Sequence, residues 1–224
     1  MSNEALGIFE AVVFDLDGVI VDSQRLHARE EHALLAARGI LIPEIELTQR
    51  FSGVTMHDML TVIFREHGYY GSVDEAVTEK RERINSLPDA EFEPIPGAPE
   101  LISALHRAEV SMAVASASGL PFINRMLRLT GLTDCFYTLA SSRELLPGRG
   151  KPAPDVYLLA AKRLKVKPQA CLAIEDGISG MQAAYAAQMQ VIGFVQPHLF
   201  QPEVTYPAHV VCPTMKKIKT FLGH

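Results

Sequence analysis

A buried strand that ends in two carboxylates constrains the fold of this chain more than any other feature. Residues 12–14 are Val-Val-Phe, a run typical of a strand inside a parallel sheet, and Asp15, Asp17 and Gly18 follow. Ligands of open α/β folds bind at this carboxyl edge of the sheet. Side chains two positions apart on a strand share one face, so the two carboxylates repel each other. The pair therefore indicates a bound cation or a role in catalysis. The alternative is that the strand simply ends in an ordinary, solvated acidic loop.

The composition excludes several classes of protein. The chain has 224 residues, 48% of them hydrophobic, which is enough for a substantial core. Its net charge is −5 and its lysines and arginines form no basic block, so we expect no nucleic-acid partner. No signal peptide or membrane span is recognisable, so we expect a cytoplasmic monomer that does not bind membranes. Cys135, Cys171 and Cys212 are expected to be reduced thiols.

The distance between the first two predicted strands indicates an insertion. A second apolar run, residues 110–116, begins about ninety residues after the first, whereas a parallel crossover usually needs about a dozen. Within it, residues 22–93 contain three predicted helices and no strand. We therefore predict an all-helical cap domain, residues 22–93, inserted after the first strand into a core domain made of residues 1–21 and 94–224. A cap attached beside the two carboxylates is well placed to exclude water and select substrate.

Strand and helix patterns alternate regularly after the insertion. Alternation of this kind predicts a parallel sheet with helices on both faces, and hence an α/β fold with a doubly wound, Rossmann-like core. The predicted strands are residues 110–116, 138–141, 170–174, 191–195 and 208–211.

Two polar groups follow the second and third strands. Ser116 ends a strand and, with Ala117, precedes a predicted helix whose free N–H groups could bind an anion. Lys151 precedes Pro152 and a further helix start, so its ammonium could point at a fixed anion. Considered singly, the serine could be a helix cap and the lysine a solvated loop charge.

Glu175 and Asp176 end the fourth strand, so a second buried strand terminates in paired carboxylates. Carboxylates of this kind are the oxygen ligands that Mg²⁺ takes, together with substrate phosphate and water. Four carboxylates in one cleft would need cations. Mg²⁺ and Lys151 would offset most of their charge and leave the site receptive to phosphate.

The order of these motifs, Asp-x-Asp-Gly, Ser, Lys-Pro and Glu-Asp, resembles that of the haloacid dehalogenase-like phosphohydrolases. The resemblance runs from about residue 11 to residue 195. It is closest to the branch of β-phosphoglucomutases and sugar-phosphate phosphatases that carry a helical cap after the first strand. It implies that Asp15 is the nucleophile that forms an aspartyl-phosphate, and that Asp17 is the acid and then the base of the reaction.

The same resemblance implies a metal site and a phosphate site. Mg²⁺ would be bound by the side chains of Asp15 and Asp176, by the carbonyl group of Asp17, and by Glu175 directly or through water. The phosphoryl oxygens would be held by Ser116, Ala117 and Lys151.

The cap residues favour a phosphatase over a mutase. His27 lies where both groups of enzymes carry a histidine. The mutases carry an arginine after a Gly-Val-Ser-like turn, whereas Met56 occupies that place in residues 51–56. We therefore predict a phosphatase acting on sugar or sugar-acid phosphates, with His27, Thr55 and Met56 as candidate substrate contacts. The alternatives are a phosphosugar mutase and a non-catalytic protein that binds phosphorylated metabolites.

A charged run on the third predicted cap helix could supply the missing cation of a mutase. The run contains Lys80, Arg81 and Arg83. Such a run usually indicates a solvated face of a helix, so we expect these side chains to be exposed.

Overall fold

The computed structural model describes residues 7–51, 55–146 and 148–223, and its centre is a six-stranded parallel sheet. The strands are β1 (Ala11–Phe14), β2 (Ser111–Ser116), β3 (Thr138–Ser141), β4 (Cys171–Glu175), β5 (Gln190–Phe194) and β6 (Val210–Cys212). The helices are α1 (Gln24–Ala36), α2 (Glu44–Phe51), α3 (Met56–Glu66), α4 (Val73–Ser86), α5 (Ala98–Arg107), α6 (Leu120–Leu129), α7 (Asp155–Leu164), α8 (Ile178–Ala186) and α9 (Met215–Phe221).

The order of the strands in the sheet is β3-β2-β1-β4-β5-β6. The sheet therefore grows from β1 first to one side, through β2 and β3, and then to the other, through β4, β5 and β6, so the strand order reverses beside β1. Because parallel crossovers are right-handed, this reversal places the connecting helices on both faces. The α/β fold class predicted from the sequence is therefore confirmed, and the later strands lie within two residues of their predicted positions. Reversal points of this kind are where open α/β sheets bind ligands.

Small side chains allow the sheet to pack closely against its helices. Ala11 and Val13 on β1, and Ala113 and Ala115 on β2, occupy alternate positions, so each pair shares one face of the sheet. All four are fully buried in one cluster with residues of α7 and α8. Close packing fixes the position of each strand along its axis. It therefore also fixes where each strand ends and where the side chains that follow it lie.

The described chain divides into two compact units. One consists of the residues through Asp22 and from Phe92 onward, and the other is Ser23–Glu91. The boundaries lie one and two residues from those predicted for the cap, whose status as a separate domain stays a prediction. The segments that enter and leave the insertion are paired: Val21 forms an antiparallel bridge with Pro94, and the Asp22 N–H donates to the Glu93 carbonyl oxygen at 2.8 Å.

The inserted unit has its own core, formed by buried side chains of α1 to α4 and the loops between them. These are Leu34, Leu35, Ile40, Ile42, Leu47, Met59, Leu60, Ile63, Phe64 and Ala76. The sequence predicted three helices here and missed α2. It has only eight residues, fewer than the window of about 11–18 residues in which helical periodicity is recognised.

None of the helices in the described ranges combines the length and the apolar character that a membrane span requires.

Candidate active site

The carboxyl ends of β1, β2 and β4 meet at the centre of one sheet edge. Phe14 is the register partner of both Val114 and Ile174, and the Asp15 N–H donates to the Ile174 carbonyl oxygen at 3.0 Å. The residues that follow these positions therefore emerge side by side. This is why Asp15 and Glu175, 160 positions apart in the sequence, belong to one site.

Lys151 joins the two central carboxylates. Its Nζ donates to Asp15 Oδ1 at 2.6 Å and to Glu175 Oε1, and its side chain is only 10% exposed. The ammonium also lies 5.2 Å from the ring centroid of Tyr157, a buried residue of α7 that the sequence analysis did not single out. The lysine is thus held by two charge-assisted hydrogen bonds and an aromatic face, and the alternative of a solvated loop charge is wrong.

The electrostatics of this cluster favour a further cation. Burial raises the pKa of Asp15 to about 8, aided by the charges of Glu175 and Asp17 and opposed by Lys151. Burial disfavours the charged form of Lys151, but the carboxylates outweigh it and hold the pKa of the lysine well above its usual value. One ammonium faces several carboxylates, so the cluster has an excess of negative charge.

Carboxylate oxygens are arranged so that they could share a metal ion. One oxygen each from Asp15, Glu175 and Asp176 lie within 4.8 Å of one another. Three hard oxygen donors in a site with excess negative charge fit a divalent cation such as Mg²⁺. The carboxylate of Asp17 is not a member of this group.

The Glu175 carboxylate occupies the space that a side chain on its neighbour Gly180 would need. Its Oε2 accepts from the Gly177 N–H at 2.8 Å, and its carboxylate lies against Gly180 in the first turn of α8. A Cβ on Gly180 would come within 1.7 Å of Glu175 Oε1. Because the carboxylate is buried and bonded to Lys151, it cannot move without losing a partner. The sequence gives no sign that this glycine is needed for space.

We expect Gly180→Ala to displace the Glu175 carboxylate and to lower the free energy of unfolding by about 1–3 kcal/mol. It should also weaken cation binding, measured as the rise in melting temperature during a Mg²⁺ titration. The matched control is Gly150→Ala, whose added Cβ would meet Ser142 Cβ at an ordinary 3.9 Å. Equal behaviour of the two variants would contradict the steric argument.

Ser116 and Ala117 lie beside the carboxylates, at the end of β2. Ser116 is fully buried, and its Oγ accepts from the Ser118 N–H at 2.9 Å. A hydroxyl that accepts one hydrogen bond can still donate another. Ala117 is exposed and precedes α6, whose N-terminal amides favour anions.

The side chain of Asp17 has a partner that the sequence analysis did not identify. Ser118 Oγ donates to Asp17 Oδ2 at 3.1 Å. The sequence does not indicate this contact, because a pair of residues 101 positions apart is brought together only by the sheet order.

Of the predicted substrate contacts of the cap, His27 lies on α1, whereas Thr55 and Met56 lie at the start of α3 and have structural roles there. Thr55 caps α3: its Oγ1 accepts from the Asp58 N–H at 3.1 Å and donates to Asp58 Oδ2 at 2.8 Å. Met56 packs against the core of the unit. Residues 52–54 of the turn compared with the mutases lie outside the described residues.

His27 is paired with a lysine that is not on a solvated face. Its Nδ1 is hydrogen-bonded to Lys80 Nζ, which also lies 3.2 Å from Glu31 Oε1. Lys80 is only 8% exposed, so the expectation that it lies in solvent is wrong. The Arg83 guanidinium is partly exposed and pairs with Glu79 at 2.8 Å.

Comparisons with known proteins agree on one family. The model of haloacid dehalogenase-like hydrolases matches residues 9–188, a range that contains all the strand-end residues described above. Hexitol phosphatase B of Escherichia coli (strain K12) is 32% identical over 183 residues, which are 81% of this chain and 82% of that protein. Beta-phosphoglucomutase of Bacillus subtilis is 30% identical over 196 residues, 84% of each chain. A solved structure from Agrobacterium tumefaciens, a haloacid dehalogenase-like protein of unknown function, is 27% identical with a TM-score of 0.81, covering 96% of this chain and 98% of that chain.

Proposed function

Because the chain belongs to the haloacid dehalogenase-like hydrolases, we propose that it is a Mg²⁺-dependent phosphatase of small sugar or sugar-acid phosphates. The observation that carries this proposal is the buried cluster of Asp15, Lys151 and Glu175 at the reversal point of the sheet, with an Asp176 oxygen close enough to share a cation. Such a cluster supplies a nucleophile, a fixed cation for phosphoryl oxygens and metal ligands within one small site.

Asp15 and Asp176 would hold Mg²⁺ through their side chains, with the Asp17 carbonyl oxygen and Glu175 as further ligands. When bound, the metal neutralises the charge of the carboxylates and of the phosphoryl oxygens, and favours the ionised form of Asp15.

The reaction proceeds in two transfers on Asp15. The Asp15 carboxylate attacks phosphorus, the bond from phosphorus to the sugar oxygen breaks, and Asp17 donates its proton to that oxygen. Asp17 then takes a proton from a water molecule whose oxygen attacks the acyl phosphate, which releases phosphate and regenerates Asp15. Ser116, the Ala117 N–H and Lys151 hold the phosphoryl oxygens during both transfers.

A phosphosugar mutase is the second candidate, favoured by the similarity to beta-phosphoglucomutase. The methionine at position 56, where the mutases carry an arginine, supports the phosphatase instead. A non-catalytic binding protein would need neither a nucleophile such as Asp15 nor an acid such as Asp17, so their presence argues against it.

Phosphate release should be measured with Mg²⁺ and with EDTA, across hexitol phosphates, 6-phosphogluconate and β-glucose 1-phosphate. We expect release that EDTA abolishes and excess Mg²⁺ restores, because the carboxylates need the cation to bind a phosphate dianion. Conversion of β-glucose 1-phosphate to glucose 6-phosphate without net release would establish the mutase. Phosphate binding in calorimetry without turnover of any ester would favour the binding protein.

A further inference from the structure

We propose that Ser118 is a positioning residue that fixes the Asp17 carboxylate for proton transfer. The inference rests on the proposed function, because it concerns the acid and base of that reaction. Asp17 would have to give a proton to the departing sugar oxygen and later take one from water. Both transfers depend on the direction in which its carboxylate points.

The contact between the two side chains has a defined direction. Ser118 Oγ lies 3.1 Å from Asp17 Oδ2. The serine hydroxyl donates a hydrogen bond to Oδ2, and this oxygen can accept it both when Asp17 is ionised and when its proton is on Oδ1. The hydrogen bond orients the plane of the carboxylate, while the serine keeps its proton throughout the reaction.

The backbone of Ser118 is anchored on both sides, so its hydroxyl is preorganised. Its N–H donates to Ser116 Oγ at 2.9 Å, and its carbonyl oxygen accepts from Ser141 Oγ at 2.7 Å. Ser116 and Ser141 are register partners at the ends of β2 and β3, and both are fully buried. Two neighbouring strands therefore hold the turn that carries Ser118.

Ser141 is itself fixed by the turn that follows β3. Its N–H donates to Glu144 Oε1 at 2.9 Å, and its Oγ accepts from the Arg143 N–H at 3.1 Å. Glu144 Oε2 pairs with Arg163 of α7 at 2.6 Å. A continuous series of side-chain and backbone contacts therefore connects α7, through Glu144, the buried Ser141 and Ser118, to the carboxylate of Asp17.

The test uses two esters with different leaving groups. A sugar or hexitol alkoxide must be protonated as it departs, whereas p-nitrophenolate leaves without a proton. The ratio kcat/KM reports the steps up to departure of the leaving group. We expect Ser118→Ala to lower kcat/KM about tenfold for the best sugar or hexitol phosphate of the panel, and less than about twofold for p-nitrophenyl phosphate. Ser118→Thr, which keeps the hydroxyl, should restore both values.

Ser116→Ala is the control, because a residue that holds the transferred phosphoryl group should affect both esters alike. Equal losses for both esters in Ser118→Ala, or no loss for either, would overturn the positioning role. Melting curves of the three variants separate these outcomes from misfolding. If the wild-type protein hydrolyses neither ester, the proposed function itself fails and the inference with it. If it hydrolyses both and Ser118→Ala shows no selectivity, only the inference fails.

Discussion

Asp15→Asn is expected to abolish phosphate release, with a loss of at least about 10⁴-fold in kcat. An amide of nearly the same size keeps the geometry of the site but cannot attack phosphorus. The variant should be measured at saturating Mg²⁺ with the best ester of the panel. Wild-type enzyme quenched during turnover should carry an acid-stable mass increase of one phosphoryl group on the peptide that contains Asp15, and the variant should not.

The same variant should fold at least as well as the wild-type protein. Burial and neighbouring carboxylates already raise the pKa of Asp15, and Lys151 keeps its bond to Glu175 when this charge is removed. We therefore expect an equal or higher melting temperature without Mg²⁺. A variant that kept a tenth of the wild-type activity would show that water or another side chain attacks phosphorus. Asp17→Asn serves as the matched control, because it should still form the covalent intermediate from p-nitrophenyl phosphate.

Lys151→Met should have the largest effect on stability. It leaves Asp15 and Glu175 buried without their shared cation, which costs about 3–5 kcal/mol when one partner of a buried ion pair is removed. Urea unfolding without Mg²⁺ measures this loss. Lys162→Met, an exposed position of α7, is the control and should change little. Activity should also fall by about 10³-fold, because the ammonium would no longer hold the phosphoryl oxygens.

The two substitutions should not be additive. In an Asp15→Asn background, Lys151→Met leaves one buried carboxylate unpaired instead of two, so it should cost less stability than in the wild-type chain. Equal costs in the two backgrounds would mean that Lys151 stabilises the fold by packing on Tyr157 and not by its charge.

The strand ends were predictable because one physical rule connects sequence to position there. Parallel strands end at a common edge, so Asp15, Ser116 and Glu175 could be grouped from their place after apolar runs alone. The rule gives the location of a side chain but not its partner. The bond from Ser118 to Asp17 and the space that Gly180 leaves for Glu175 depend on distances between helices and strands, which the sequence does not state.

The inserted unit was less predictable for the same reason. Lys80 follows a charged pattern that is typical of an exposed helix face, yet it is buried beside His27 and Glu31. Local periodicity cannot show that another helix supplies the compensating groups. The short α2 was missed because its eight residues, about two turns, are too few to establish a helical pattern.

The paired segments at the two ends of the insertion make the inserted unit exchangeable. Since Val21 and Pro94 are bridged partners, a two- to four-residue turn of about the usual hairpin length could join them directly. Insertion, deletion or replacement of the residues between them would leave the register of β1 and β2 unchanged. Evolution could therefore recombine such insertions among relatives, or vary their length, while the catalytic edge of the sheet is inherited intact.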